Sequence, residues 1–316
     1  MTSLDTRPAP RELRGAPAAL PRYTLVGTTD APVVVVLGGI SATRHVVFGE
    51  SAGKSGWWAN IAGEGRAIDL RRFRVLGLDF MDGGRDATGR PRRSVTTHDQ
   101  ARFLAHVLKT IGVDRVHAVV GSSYGGMVAL AFAERFPGML ERLIAISAPH
   151  ESHPMSTALR TLQRRTVELG LDTGRVSDAL SIARGIAMTT YRTAGEFGDR
   201  FKSTAIPGAS RGAPIFEVDA YLRDRGARFV ESMRPERFLA LSLSTDLHRV
   251  DPSRIKTPTT LVAAEGDSIV PREQLVTLAA RLSGARNLVE LPTRVGHDAF
   301  LVETARVSAI VSAAIN

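Results

Sequence analysis

The segment Gly121-Ser122-Ser123-Tyr124-Gly125-Gly126 holds the clearest chemistry in this sequence. It fits Gly-x-Ser-x-Gly, a sharp strand-to-helix turn that exposes a serine oxygen. The bare pattern also occurs as an ordinary Gly/Ser turn, so its meaning depends on its flanks and on partners elsewhere in the chain. A serine hydroxyl is a weak nucleophile near neutral pH and needs a base, and the base needs a group that fixes its tautomer. In a strand–turn–helix setting these partners follow the serine in the order Asp, then His. Asp267, in Ala264-Glu265-Gly266-Asp267, and His297, in Gly296-His297-Asp298-Ala299-Phe300, keep that order. The expectation is that Ser123 is the nucleophile, His297 its base and later acid, and Asp267 the orienting carboxylate. Glu265 is an alternative acid, and Asp298 is near enough in sequence to face the histidine. His45, His98, His106, His117, His150, His153 and His248 lack this order, and none forms a cluster with metal-ligand spacing. No metal is expected.

A tetrahedral intermediate needs two N–H donors for its oxyanion, one from the residue after the nucleophile and one from a loop after an earlier strand. Tyr124 holds the first place. Gly38-Gly39-Ile40-Ser41 suits the second, with Ile40 as donor, although a Gly-Gly pair also fits a plain strand end.

These residues need a sheet to hold them. The run Val33, Val34, Val35, Val36, Leu37 is β-branched and apolar at successive positions, as in a central strand covered on both faces. Further strands are expected over residues 73–80, 116–120, 143–146, 259–264 and near 288–291. Helices are expected after Thr97, where Gln100 completes a capping-box pattern and Gly112 closes the helix; over residues 127–136, ended by Pro137; after Pro271; and from about Asp298. A Gly-rich loop is read at residues 81–84. This alternation of strand and helix argues for a mostly parallel sheet flanked by helices. Between residues 150 and 247 strand signals vanish, and an α-helical lid insertion is expected there, with a Gly/Pro/Ser stretch at 206–214. The division is therefore a loose N-terminal arm at 1–22, a core at 23–149 and 248–316, and a lid at 150–247.

Bulk composition removes other classes. At 316 residues and 43% hydrophobic the chain can bury a large core, and with no cysteine it has neither disulfides nor thiolate chemistry. The net charge of +9 is mostly arginine, but it is scattered and only 6% of residues are aromatic, so no nucleic-acid partner is expected. No apolar run approaches a membrane span and the N-terminus lacks a signal-peptide core, which makes a cytoplasmic protein without a membrane partner the expectation.

Several strings resemble the homoserine O-acyltransferases, a family with the α/β-hydrolase fold. Gly56-Trp57-Trp58, followed by Gly63-Glu64-Gly65-Arg66-Ala67-Ile68-Asp69, is similar to its G-W-W and G-P-G-K-A-I-D. The segments around Ser123 and His297 are similar to its G-[GN]-S-M-G-G and G-H-D-x-F-L. Gln163-Arg164-Arg165-Thr166-Val167 is similar to its Q-R-x-A-I, and Tyr221-Leu222 with Gly226 and Phe229 to its Y-L-x-x-x-G-x-x-F. The resemblance implies transfer of an acetyl or succinyl group from acyl-CoA to L-homoserine in methionine biosynthesis, by a ping-pong route and in a homodimer. Acyl-CoA is then a co-substrate, and no other cofactor is implied. It also implies Arg164, Tyr221 and Asp298 as substrate-binding residues. An acid suits an amine and an arginine suits a carboxylate; Arg164 also fits a surface ion pair, and Asp298 a helix cap. The tandem Arg164-Arg165 leans the donor toward succinyl. Residues 38–41 and 78–84 depart from the family pattern, which keeps serine as an alternative acceptor; a plain esterase using the same triad is the alternative reaction.

Overall fold

The computed structural model describes residues 22–83, 94–205 and 214–316. Nearly all of the expected arm, most of the 206–214 stretch and Gly84 lie outside these residues. In chain order the strands are β1 (Tyr23–Gly27), β2 (Val33–Leu37), β3 (Ala62–Gly63), β4 (Ile68–Asp69), β5 (Arg74–Leu78), β6 (Val116–Ser122), β7 (Leu140–Ile146), β8 (Thr259–Ala264) and β9 (Arg286–Leu291). Seven of them form one sheet in the order β1-β5-β2-β6-β7-β8-β9, while β3 and β4 pair separately. Only β1, at the edge, runs antiparallel to its neighbour.

Along β2 alternate side chains enter different cores, which is why the whole strand is apolar. Val33, Val35 and Leu37 join the cluster under α1 (Thr97–Thr110) and α2 (Tyr124–Arg135), whereas Val34 and Val36 join Trp58, Ile61 and residues near the C-terminus on the other face. Between β7 and β8 the chain forms α3 (Pro154–Asp172), α4 (Val176–Tyr191), α5 (Ala194–Arg200), α6 (Glu217–Ser232) and α7 (Pro235–Asp246). These helices have a small core of their own, built from Val167, Leu180, Ala183, Phe229, Met233 and Phe238. After β8 come α8 (Arg272–Arg281), the single turn α9 (Ala299–Val302) and α10 (Thr304–Ile315).

Several element ends differ from expectation, each for a local reason. The N-cap of α1 is Thr96, one residue early, because Asp99 completes the capping box: Thr96 Oγ1 accepts from Asp99 N, and the Asp99 carboxylate accepts from Thr96 N at 2.8 Å. Gln100 is thereby free to reach away from the cap, where its Nε2 donates to the Met81 carbonyl at 2.8 Å. Strand β6 continues past Val120 because Gly121 and Ser122 still pair with Ala145 and Ile146. Helix α2 begins at Tyr124, not at residue 127, with two glycines in its first turn. Strand β7 begins at Leu140, and the C-terminal helix is split at Glu303.

Candidate active site

Ser123 is alone in the turn between β6 and α2, with φ 53° and ψ −124°. A side-chain-bearing residue there carries strain of order 1–3 kcal/mol, and such strain persists only where the surroundings over-determine it. Here Ser123 N donates to the Ile146 carbonyl at 2.9 Å, Met127 N donates to the Ser123 carbonyl at 3.1 Å, and Gly125 N donates to the Gly38 carbonyl at 2.9 Å. Close approach explains the glycines around it. A methyl group at Gly125 would meet the Leu37 carbonyl oxygen at 2.3 Å, and one at Gly121 the Gly125 oxygen at 2.4 Å.

Asp267 lies in the loop after β8, and His297 in a short 3-10 turn, Gly296–Asp298, after β9. Asp267 Oδ1 accepts from the backbone N–H groups of Ile269 and Val270, both at 2.9 Å, which leaves Oδ2 for His297 Nδ1 at 2.8 Å. His297 Nε2 is 2.8 Å from Ser123 Oγ. An ionised carboxylate can only accept, so Nδ1 carries the proton and Nε2 is left to accept from the serine hydroxyl. The histidine is buried. Burial pushes its pKa down, but the Asp267 charge and hydrogen bond, helped by Asp298, outweigh this and hold it above the ordinary value of 6.5. Glu265 is exposed, and the carboxylate at the histidine is Asp267 and not the alternative two residues earlier.

Ile40 and Tyr124 border the same cavity as Ser123, of ≈ 190 Å³. Neither backbone N–H has a protein acceptor among the described residues, as two donors kept for a developing oxyanion would require. The Tyr124 phenol is occupied elsewhere, sharing a hydrogen bond with Ser244 Oγ at 2.7 Å.

Asp298 borders the cavity and is paired with Arg192, whose Nε lies 3.1 Å from its Oδ2. Arg164 and Tyr221 do not border it. Arg164 is turned to α7, where its Nη1 donates to Asp246 Oδ2 at 2.5 Å and to Ser242 Oγ at 3.0 Å. Tyr221 lies in an aromatic group with Phe197 and Phe201 and has the Arg200 guanidinium 4.3 Å from its ring centre. Its neighbour Gly226 serves packing of α6 on α4, since a methyl there would meet Ser181 Oγ at 2.0 Å.

In their place α4 contributes Arg184 and Tyr191, which sequence reading missed. They are seven residues apart, two helical turns, and therefore share a face. The Arg184 guanidinium lies 5.4 Å from the Tyr191 ring centre and 5.1 Å from that of Phe229, and among the described residues no carboxylate pairs with it. Tyr191 in turn has its ring centre 5.6 Å from that of His297. One signal was available: Arg184 is the lone charge in the apolar run Ile182-Ala183-Arg184-Gly185-Ile186-Ala187. The Trp57-Trp58 pair is also placed. Trp57 borders the cavity, and buried Trp58 donates from Nε1 to the Phe300 carbonyl at 3.0 Å, tying this string to the loop of His297.

Fold and triad together define a class, and residues 32–304 match the α/β-hydrolase fold family. Over 93% of this chain and 78% of its own length, a homoserine O-succinyltransferase of Xanthomonas campestris pv. campestris is 42% identical. A serine O-succinyltransferase of Frateuria aurantia is 28% identical over 95% of this chain and 93% of its own. The crystal structure of a homoserine O-acetyltransferase from Bacillus anthracis superposes with a TM-score of 0.87 at 17% identity, covering 100% of this chain and 98% of that one. The chain belongs to the homoserine O-acyltransferase family of α/β-hydrolase-fold proteins. Among the described residues no helix is long and apolar enough to cross a membrane.

Proposed function

We propose that this chain transfers the succinyl group of succinyl-CoA to the hydroxyl of L-homoserine through an acyl-Ser123 intermediate. The observation that carries the reading is the continuous hydrogen-bond chain Asp267–His297–Ser123, opening on a cavity that also presents Arg184 and Asp298. In the first half-reaction His297 Nε2 takes the Ser123 proton as Oγ bonds to the thioester carbon. The Ile40 and Tyr124 N–H groups stabilise the oxyanion, the carbon–sulfur bond breaks, and His297 gives its proton to the departing sulfur, so that CoA leaves as the thiol and the ring is neutral again. In the second, His297 takes the homoserine hydroxyl proton while that oxygen attacks the ester carbon. The bond to Ser123 Oγ breaks, and the serine recovers its proton from His297.

Arg184 suits the α-carboxylate of the amino acid and Asp298 its ammonium. Succinyl is preferred to acetyl because the 42% identical relative is named for it. Arg164 is committed to Asp246, so the Arg164-Arg165 tandem lends the choice of donor no support. Serine as acceptor is the second reading, supported by the name of the Frateuria relative. We place the activity in the methionine branch of amino-acid biosynthesis and in the cytoplasm, with acyl-CoA as co-substrate and no metal or nucleic acid involved. A homodimer is supported by the exposed stripe Met155, Leu162 and Leu169, spaced by seven along α3.

The test is CoA release from succinyl-CoA or acetyl-CoA with homoserine, serine or water as acceptor, and with Ser123→Ala as the blank. Homoserine-dependent release that is fastest with succinyl-CoA and absent in the blank is expected. Equal release with water alone would make the protein a hydrolase.

A further inference from the structure

Helix α3 borders the cavity through Ser156, Leu159, Arg160 and Gln163. Arg160 is one turn before Arg164, and the two meet the same carboxylate from different sides. Arg160 Nε donates to Asp246 Oδ1 at 2.6 Å and its Nη2 to Ser152 Oγ at 2.6 Å, while Arg164 Nη1 holds Oδ2. The Thr157 hydroxyl adds a third donor to the carboxylate, at Oδ1, at 3.0 Å. The two arginine side chains are each 14% exposed and the aspartate 7%. Two guanidinium charges therefore share one carboxylate in a largely dry site, and one positive charge is left over. A desolvated charge without a partner is costly, and an anion that completes the pairing relieves that cost.

The two arginines are not equivalent. Nη1 and Nη2 of Arg164 are both engaged, by Asp246, Ser242 and Thr161. Arg160 makes no hydrogen bond from Nη1 to any described group, and it alone of the two borders the cavity that holds Ser123. Asp246 and Ser152 grip its Nε and Nη2, which fixes the plane of the fork and leaves a free edge, a pre-set receptor for a carboxylate. Its charge is also felt at His297 and Tyr191, which puts it within electrostatic reach of the reacting serine.

We propose that Arg160 is the specificity-determining residue for the acyl donor and takes the free carboxylate of a succinyl-type acyl group whose other end is joined to Ser123. The inference rests on the acyl-transfer reading above. An acetyl group ends in a methyl and leaves the surplus charge unpaired. Arg184, stacked against Tyr191 and Phe229, remains for the carboxylate of the amino acid, so that each substrate anion has its own guanidinium.

The experiment compares kcat/KM for succinyl-CoA and acetyl-CoA at saturating homoserine, in the parent protein and in Arg160→Leu, Arg160→Lys and Arg164→Leu. Removing one partner of a buried charge pair is expected to lower the succinyl-CoA value roughly 100-fold. The acetyl-CoA value and the KM for homoserine should stay within about threefold, a change too small to signal a lost ionic contact. Lysine keeps the charge without the fork, so Arg160→Lys is expected to recover part of the loss. Its ratio of succinyl-CoA to acetyl-CoA kcat/KM, lowered less than in Arg160→Leu, is the readout should Arg160→Leu fail to fold. Arg164→Leu takes away the surplus charge but keeps the free edge of Arg160, so its succinyl-CoA value is expected to fall by less than that of Arg160→Leu. Proportional loss with both donors in the Arg160 variants, or a rise confined to the homoserine KM, would overturn the proposal.

A turnover-free arm separates this idea from the parent reading: thermal stabilisation of Ser123→Ala protein by succinate, with acetate as control. Succinate-specific stabilisation that disappears when Arg160→Leu is added supports the proposal even if no CoA is released. No stabilisation by succinate, or the same stabilisation without Arg160, overturns it.

Discussion

At His297 two opposing effects meet, and their balance sets how the site responds to pH. Burial disfavours the imidazolium, whereas the Asp267 carboxylate, its hydrogen bond and the Asp298 charge favour it, with a net upward shift from 6.5. As base the ring must be neutral, so kcat/KM is expected to rise with pH through a midpoint above 6.5. Stability has the opposite sign. A folded pKa raised above the unfolded one contributes stability in full below the unfolded value, and that stability is lost as pH rises through the folded value. Asp267→Asn removes the largest of the raising effects and also leaves Nδ1 without its anionic acceptor. Its expected outcome is an acid limb moved to lower pH together with a kcat reduced about 10⁴-fold. A pH–rate profile of the variant checks both, and an unmoved limb would mean that Asp267 does not govern the histidine.

The elements that carry these residues are held by backbone-to-backbone contact more than by side chains. Helix α2 can approach β2 closely only because position 125 has no Cβ: the nearest atoms to an added methyl are the Leu37 and Gly38 carbonyls, which cannot rotate away. Gly125→Ala is therefore expected to cost about 2 kcal/mol or more, within the range of overpacked cores. Gly138 is an internal control. A methyl there meets nothing within 4 Å, so Gly138→Ala should stay within about 0.5 kcal/mol. Urea midpoints for the two variants give the comparison. Equal midpoints would show that the tight seat around Ser123 yields more readily than its geometry indicates.

For the whole molecule the unresolved burden is the apolar surface of the inserted helices. Met155, Leu162 and Leu169 are 60%, 53% and 64% exposed, and Ile182 on the adjoining α4 is 56% exposed. A seven-residue spacing keeps the first three on one side of α3 across two turns per step, the pattern of a helix seam awaiting a partner. A two-fold dimer buries such a stripe against its own copy. Sedimentation equilibrium is expected to give a dimer for the parent protein and a monomer for Leu162→Glu, which places a charge in the middle of the seam. A monomeric parent would remove the homodimer from the proposal.

Local pattern determined much of this protein by itself. The strands β2, β6 and β8 are short β-branched or apolar runs whose neighbours end them, and the serine, aspartate and histidine are set in loops that directly follow strands. Chain order therefore already implied that Ser123, Asp267 and His297 meet. The small β3–β4 pair had no such signature, because pairing, not composition, makes strands of two residues each. Asp298, next to the histidine, was named along the chain, but the substrate-side residues on helices were not fixed by local reading. Helical spacing says that Arg160 and Arg164 lie on neighbouring turns, but which of them borders the cavity depends on how α3 rolls against α7 and where Asp246 stands. The same holds for α4, whose packing on α6 brings Arg184 and Tyr191 to the site while Tyr221 is left among Phe197, Phe201 and Arg200. Reactive groups fixed by their own turns are legible along the chain, whereas those carried on helices acquire a direction only when the helices pack.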